Sequence, residues 1–134
     1  MPILDSDIII AYFRNVPKAV EIIDKFVKEQ KILKTTIFNV AELYKGAYLS
    51  SKVKENIKEI EEFLENVTII DFTINDAIKF AKISAELRQK GEMIGDFDEL
   101  IASVAINNNE TIFTRNINHY ERIPQLSFKN WEKT

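Results

Sequence analysis

The 134-residue chain has no cysteine and a single histidine. The first absence excludes disulfides, thiolate nucleophiles and cysteine-type zinc sites, and it suits a reducing, cytoplasmic compartment. With one histidine, no convincing Ser-His or Cys-His nucleophile pair is available. Glycine and proline number three each, too few for a flexible linker, so we read one domain over residues 1–134. No apolar run is long enough to span a bilayer. Ile8–Phe13 is too short for a secretory signal and has no basic segment before it, so none is expected. Positive charge is not in excess: 18 Lys and Arg against 21 Asp and Glu leave a net charge of −3. That balance argues against a strongly basic nucleic-acid clamp. An acidic protein can still act on a polyanion when divalent ions join its carboxylates to phosphate.

What remains is a pattern of short apolar runs and amphipathic segments in alternation. Pro2–Leu4, Ile32–Ile37, Val67–Phe72 and Thr111–Thr114 read as strands, with Leu126–Phe128 a further edge strand. Ser6–Phe13, Pro17–Glu29, Phe38–Leu49, Val53–Leu64, Ile74–Lys90 and Phe97–Asn107 read as helices. Pro17 suits a first turn, and Gly91 a terminator. In the fifth helix Ala77, Ile78, Ala81 and Ala85 are expected to face inward. Alternation of this kind predicts an α/β fold with a central parallel sheet of four to five strands flanked by helices. Sites in such sheets form beyond the carboxyl ends of the strands, at the switch point. Asp5 directly follows the first strand, and Asn116 lies just after the fourth.

Carboxylates interrupt the apolar pattern at a few places. Asp5 and Asp7 break ILDSDIII, Glu42 stands in an Ala-Glu-Leu context, and Asp96 and Asp98 open the helix DELIASVA. Singly, each reads first as a helix cap or a solvated charge. Together, converging acids would repel one another and raise their pKa values. A hard divalent cation with oxygen ligands, such as Mg²⁺ or Mn²⁺, resolves that conflict. The constellation suggests a metal-dependent phosphodiester hydrolase. Asp-Ser-Asp after a strand also resembles the paired acids of haloacid-dehalogenase phosphatases, in which the first Asp is the nucleophile.

The order of the motifs adds a resemblance over essentially the whole chain. I-L-D-S-D-I-I-I at 3–10, A-E-L-Y-K-G at 41–46, E-L-R-Q-K-G-E-M-I-G-D-F-D-E-L-I-A at 86–102 and T-R-N-I-N-H-Y-E-R-I-P at 114–124 precede a late Trp131. This resembles a PIN-domain ribonuclease of the VapC toxin type. The resemblance implies a Mg²⁺-dependent endoribonuclease, Mn²⁺ being a substitute, that leaves a 5′-phosphate and a 3′-hydroxyl. It implies Asp5, Glu42 and Asp98 as the metal-binding and catalytic acids. Asn116 occupies a position where many relatives carry Asp, and Asp7 one where Asn is common. Ser6 and Thr114 match small hydroxyl positions that support the acids, and Asp96 is an extra acid able to assist. The implied partners are RNA, a VapB-like antitoxin held by the 52–65 helical region, and a second copy in a homodimer. A housekeeping PIN nuclease and a degenerate, binding-only PIN domain share the same motifs. His119 reads as a structural or surface residue, and Arg115 as one of several cations able to line an RNA path.

Overall fold

The computed structural model describes residues 2–134. The elements run β1 (Pro2–Leu4), α1 (Ser6–Phe13), α2 (Pro17–Lys28), β2 (Leu33–Thr36), α3 (Ile37–Tyr48), α4 (Val53–Leu64), β3 (Val67–Ile70), α5 (Ile74–Gln89), α6 (Asp96–Asn107), β4 (Thr111–Thr114), α7 (Ile117–Tyr120) and β5 (Phe128–Asn130), with a closing 3₁₀ turn at Trp131–Lys133. All strand pairs are parallel, in the order β3-β2-β1-β4-β5. The chain therefore builds outward from β1 to β3, then returns to the other side of β1. The reversal lies between β1 and β4, where Ile3 pairs with Ile112.

Side chains alternate across the sheet with a period of two. Leu4 and Phe113 enter one core, with Ile8, Ile23 and Phe26 of the first two helices. Their neighbours Ile3 and Ile112 enter the opposite core, with Ile83, Leu87 and Ile101 from α5 and α6. No helix among the described residues is long and apolar enough to cross a membrane.

Three sequence expectations change. The strand read at Val67–Phe72 as buried is shorter and half-exposed, because β3 is an edge. β5 starts two residues later than expected, at Phe128. Most consequential is α5, whose buried residues are Asp76, Ile83 and Leu87. Ala81 and Ala85 are exposed, and Ile78 is 51% exposed. Helical periodicity identifies an apolar stripe but not what covers it. This helix carries a second stripe that the chain itself leaves bare.

Candidate active site

The site grows from the end of β1. The Asp5 backbone N–H still donates to the Phe113 carbonyl of β4 at 3.1 Å. Its own carboxylate then caps α1 by accepting from the Ser6 N–H at 2.9 Å. The cap is thus Asp5 itself, so the same residue terminates the strand, starts the helix and faces the switch point. Asn39 Nδ2 donates to Asp5 Oδ1 at 2.8 Å, and the Thr114 hydroxyl to Oδ2 at 2.8 Å.

Asn39 is the hub that sequence reasoning missed. It is fully buried, and its Oδ1 accepts from the Thr36 hydroxyl at 2.7 Å in a capping box that opens α3. Its Nδ2 also donates to Ser6 Oγ at 3.0 Å. The Ser6 hydroxyl in turn donates to Glu42 Oε1 at 2.9 Å. Glu42 lies three residues after Asn39, on the same side of α3. One chain of hydrogen bonds therefore joins Asp5 to Glu42 through Asn39 and Ser6. The available signal was Thr36-x-x-Asn39, a variant of the capping-box pattern.

Asp98 approaches from α6. Gly95, with φ +101°, makes the turn that precedes this helix, a conformation side-chain-bearing residues rarely adopt. Asp98 Oδ2 meets Asn116 Nδ2 at 2.9 Å and His119 Nδ1 at 2.7 Å, while the Tyr120 hydroxyl stands 3.5 Å from Oδ1. His119 is thus not a bystander on the surface but a direct neighbour of a candidate ligand. Its short range to Asp98 came from the α7 turn, which the sequence pattern did not reveal. Asp96, the first residue of α6, is exposed and does not line the cleft.

Asp7 is used differently. Its Oδ1 accepts from the Trp131 indole N–H at 2.9 Å, and its Oδ2 from the Arg115 backbone N–H at 3.0 Å and the Thr114 hydroxyl at 3.2 Å. With both oxygens occupied, Asp7 fastens the C-terminal turn and the end of β4 to α1. That geometry is poorly suited to the mobile acid-base role a phosphatase would require of it.

Asp5, Asp7, Glu42 and Asp98 line an open cleft of about 600 Å³, with Ser6, Ile10, Arg14, Arg115 and Asn116. The carboxylates act on one another. Burial, then the charges of Asp7 and Asp98, push the Asp5 carboxyl up to about 7. Burial also raises Glu42, with Asp98 and Asp7 adding to it, against the Ser6 hydrogen bond. Tyr120 is pushed well up by burial and then by Asp5, Asp98, Glu42 and Asp7. Among the described residues, no three acids or histidines are already drawn into a closed metal cage. An open, all-oxygen donor set under mutual repulsion fits a hard cation that keeps water and phosphate among its ligands.

The fold and motifs find their match in known proteins. The family model described as "PIN domain" matches residues 3–125. The chain belongs to the PIN-domain family. Within it, "Ribonuclease VapC2" of Rickettsia felis is 42% identical over 94 residues, 70% of either chain. A Haemophilus influenzae protein also called "Ribonuclease VapC2" is 34% identical over 128 residues, 96% of either chain. Among solved structures, VapBC2 from Rickettsia felis bound to a promoter DNA fragment aligns with a TM-score of 0.89 at 32% identity, covering 97% of this PIN domain and 98% of that chain. The phosphatase reading of Asp-Ser-Asp falls with this assignment. The cleft at the β1–β4 switch point is the polar centre of a VapC-type PIN fold.

Proposed function

We propose that the protein is a divalent-metal-dependent endoribonuclease, the toxin of a type II toxin–antitoxin pair. The observation carrying this reading is the convergence of Asp5, Glu42 and Asp98 on one cleft at the switch point. Asp5, Glu42 and Asp98 would hold Mg²⁺, or Mn²⁺ in its place, through oxygen. Bound there, the ion supplies an acidified water and a polarised phosphoryl group. Asn39 and Thr114 fix the two oxygens of Asp5. Asn116 and His119 fix Oδ2 of Asp98. We assign the proton of the attacking water to the Glu42 carboxylate, half-buried and raised by that burial, at the oxygen that Ser6 does not hold.

The test is cleavage of bulk tRNA and a mixed-sequence single-stranded RNA by antitoxin-free protein. Cleavage is expected with Mg²⁺ or Mn²⁺, to vanish in EDTA, and to return when the ion is restored. Because Asp5 must lose its proton to ligate, metal binding is expected to tighten as pH rises through about 7, with protons released on binding. Calorimetry in buffers of different ionisation enthalpy reads that release. Cleavage that persists in EDTA overturns the proposal; no cleavage by the wild type favours a binding-only PIN domain.

Two partners fit the surface. A groove of about 290 Å³ runs between α1, α3 and α4 and shares Ile10, Arg14 and Glu42 with the cleft. A larger one, about 490 Å³, is lined by Tyr12, Val20, Ile23, Val27 and Phe63. These suit the helical segments of a VapB-like antitoxin, which would block the acids by lying beside them. The bare stripe of α5 suits a second copy of the chain. Ile74 and Ile78 are 75% and 51% exposed one turn apart. Ile74→Glu with Ile78→Glu is expected to convert a dimer to a monomer in light scattering, with an unchanged circular-dichroism spectrum. An unaltered mass would place the dimer contact elsewhere. With RNA as substrate and no membrane partner, the cytoplasm is where this toxin would act.

A further inference from the structure

We propose that Arg14 and Arg115 are substrate-positioning residues that seat the RNA phosphates flanking the scissile bond. The inference rests on the ribonuclease reading and adds to it the groups that overcome repulsion between an acidic cleft and a polyanion.

Both arginines are exposed and both line the cleft. They reach it from different elements. Arg14 is the C-cap residue of α1, and Arg115 directly follows β4. The usual explanation of a helical surface arginine is an acid three or four residues away. Arg14 has none: those positions hold Ile10, Ala11, Pro17 and Lys18. Despite four carboxylates lining the same cleft, Arg14 forms no ion pair within 4.0 Å among the described residues. The only such contact of Arg115 is an exposed, long one, 3.9 Å to Glu132. Contacts of that kind contribute little, so it gives way easily.

Geometry sets where the charges fall. The Arg115 backbone is tied to Asp7. Arg14 is seven residues further along α1, a rise of about 10 Å. A single strand crossing the acids passes both arginines of the cleft lining. Each can bond phosphate oxygens in a bidentate fork, while the acids and their ion face the phosphate between. With a net charge of −3, the protein as a whole exerts no long-range attraction on a polyanion. The other cations suggested by the sequence lie outside the cleft lining; Arg122, for one, donates to the Glu92 and Met93 carbonyls.

The experiment compares wild type, Arg14→Gln, Arg115→Gln, the double variant, Arg14→Lys, and Lys82→Gln as an exposed-lysine control. A fluorescein-labelled mixed-sequence single-stranded RNA is titrated at several salt concentrations in Ca²⁺, and cleavage of bulk tRNA is followed in Mg²⁺. Each glutamine is expected to lower the slope of log Kd against log salt by about 0.7, the value for one phosphate contact on a single strand. The loss in kcat/KM is expected in KM, several-fold for each variant. Arg14→Lys keeps the slope, since it keeps the charge, and Lys82→Gln leaves it unaltered. Slopes unchanged in both glutamine variants, with the wild type binding and cutting RNA, overturn this proposal alone. A wild type that neither binds nor cuts RNA overturns the ribonuclease reading and this proposal with it.

Discussion

Asp5→Asn is expected to abolish RNA cleavage and to raise the melting temperature of the metal-free protein at neutral pH. Loss of activity should exceed the 10- to 100-fold typical of removing a residue that only supports a metal ligand. The gain in stability follows from the raised pKa. In the folded protein Asp5 titrates near 7 rather than at its ordinary 3.8, so the folded state holds that proton more tightly than the unfolded chain. Below the unfolded value both states are protonated and nothing is lost. As pH rises towards 7, the unfolded chain ionises freely while the buried group resists, and stability falls by up to roughly 4 kcal/mol. An amide removes that charge. It still accepts from the Ser6 N–H and Asn39, and the Thr114 hydroxyl can turn towards Asp7, already 3.2 Å away. A net gain of about 1–3 kcal/mol is expected, seen by thermal denaturation in EDTA across the neutral range. Added Mg²⁺ should stabilise the wild type by mass action and leave Asp5→Asn unaltered. A variant that melts lower than wild type in EDTA would mean that the folded protein favours the ionised Asp5 carboxylate, against the account of its raised pKa.

Trp131→Ala should have the largest effect on stability, although only three residues follow it in the sequence. Its side chain is 1% exposed and belongs to the same core as Ile22, Ile23, Phe26 and Phe113. Deleting a buried tryptophan costs about 3–5 kcal/mol, roughly 10 °C or more in melting temperature for a chain of this size. Trp131→Phe preserves most of the packing and removes only the donor to Asp7 Oδ1; a hydrogen bond to a charged group is worth about 2 kcal/mol. Urea unfolding of both variants separates the two contributions. If Trp131→Ala costs under about 1 kcal/mol, the C-terminal turn is not part of the cooperative core.

The contrast between Asp5 and His119 shows what could be read from the chain. Asp5 stood at the end of β1, Asp98 in the first turn of α6 and Glu42 in the middle of α3, in a recognisable order, and the fold brings all three to one cleft. Local pattern sufficed because Asp5 and Asp98 are set by their own strand or helix ends and Glu42 by the face of α3 it shares with Asn39. His119 and Asn39 gave weaker signals. His119 reaches Asp98 across 21 positions through a one-turn helix, and short turns leave no periodicity. Asn39 sits among Ile37, Phe38 and Val40, where its value comes from partners on α1 and β2. Arg14 was not singled out because a lone exposed arginine is ordinary until its neighbours are known. For α5 the periodicity was clear but the inward side was misassigned. Ile78 and Ala81 are as apolar as a core stripe, and only the packing of Ile83 and Leu87 reveals which side the chain buries.

Identifying the ends of the RNA fragments made in Mg²⁺ tests the central claim most directly. If water is activated at a metal held by Asp5, Glu42 and Asp98, mass spectrometry should find 5′-phosphates and 3′-hydroxyls. Fragments ending in 2′,3′-cyclic phosphate, with 5′-hydroxyl partners, would instead mean that the RNA's own 2′-hydroxyl attacks, and would contradict the account.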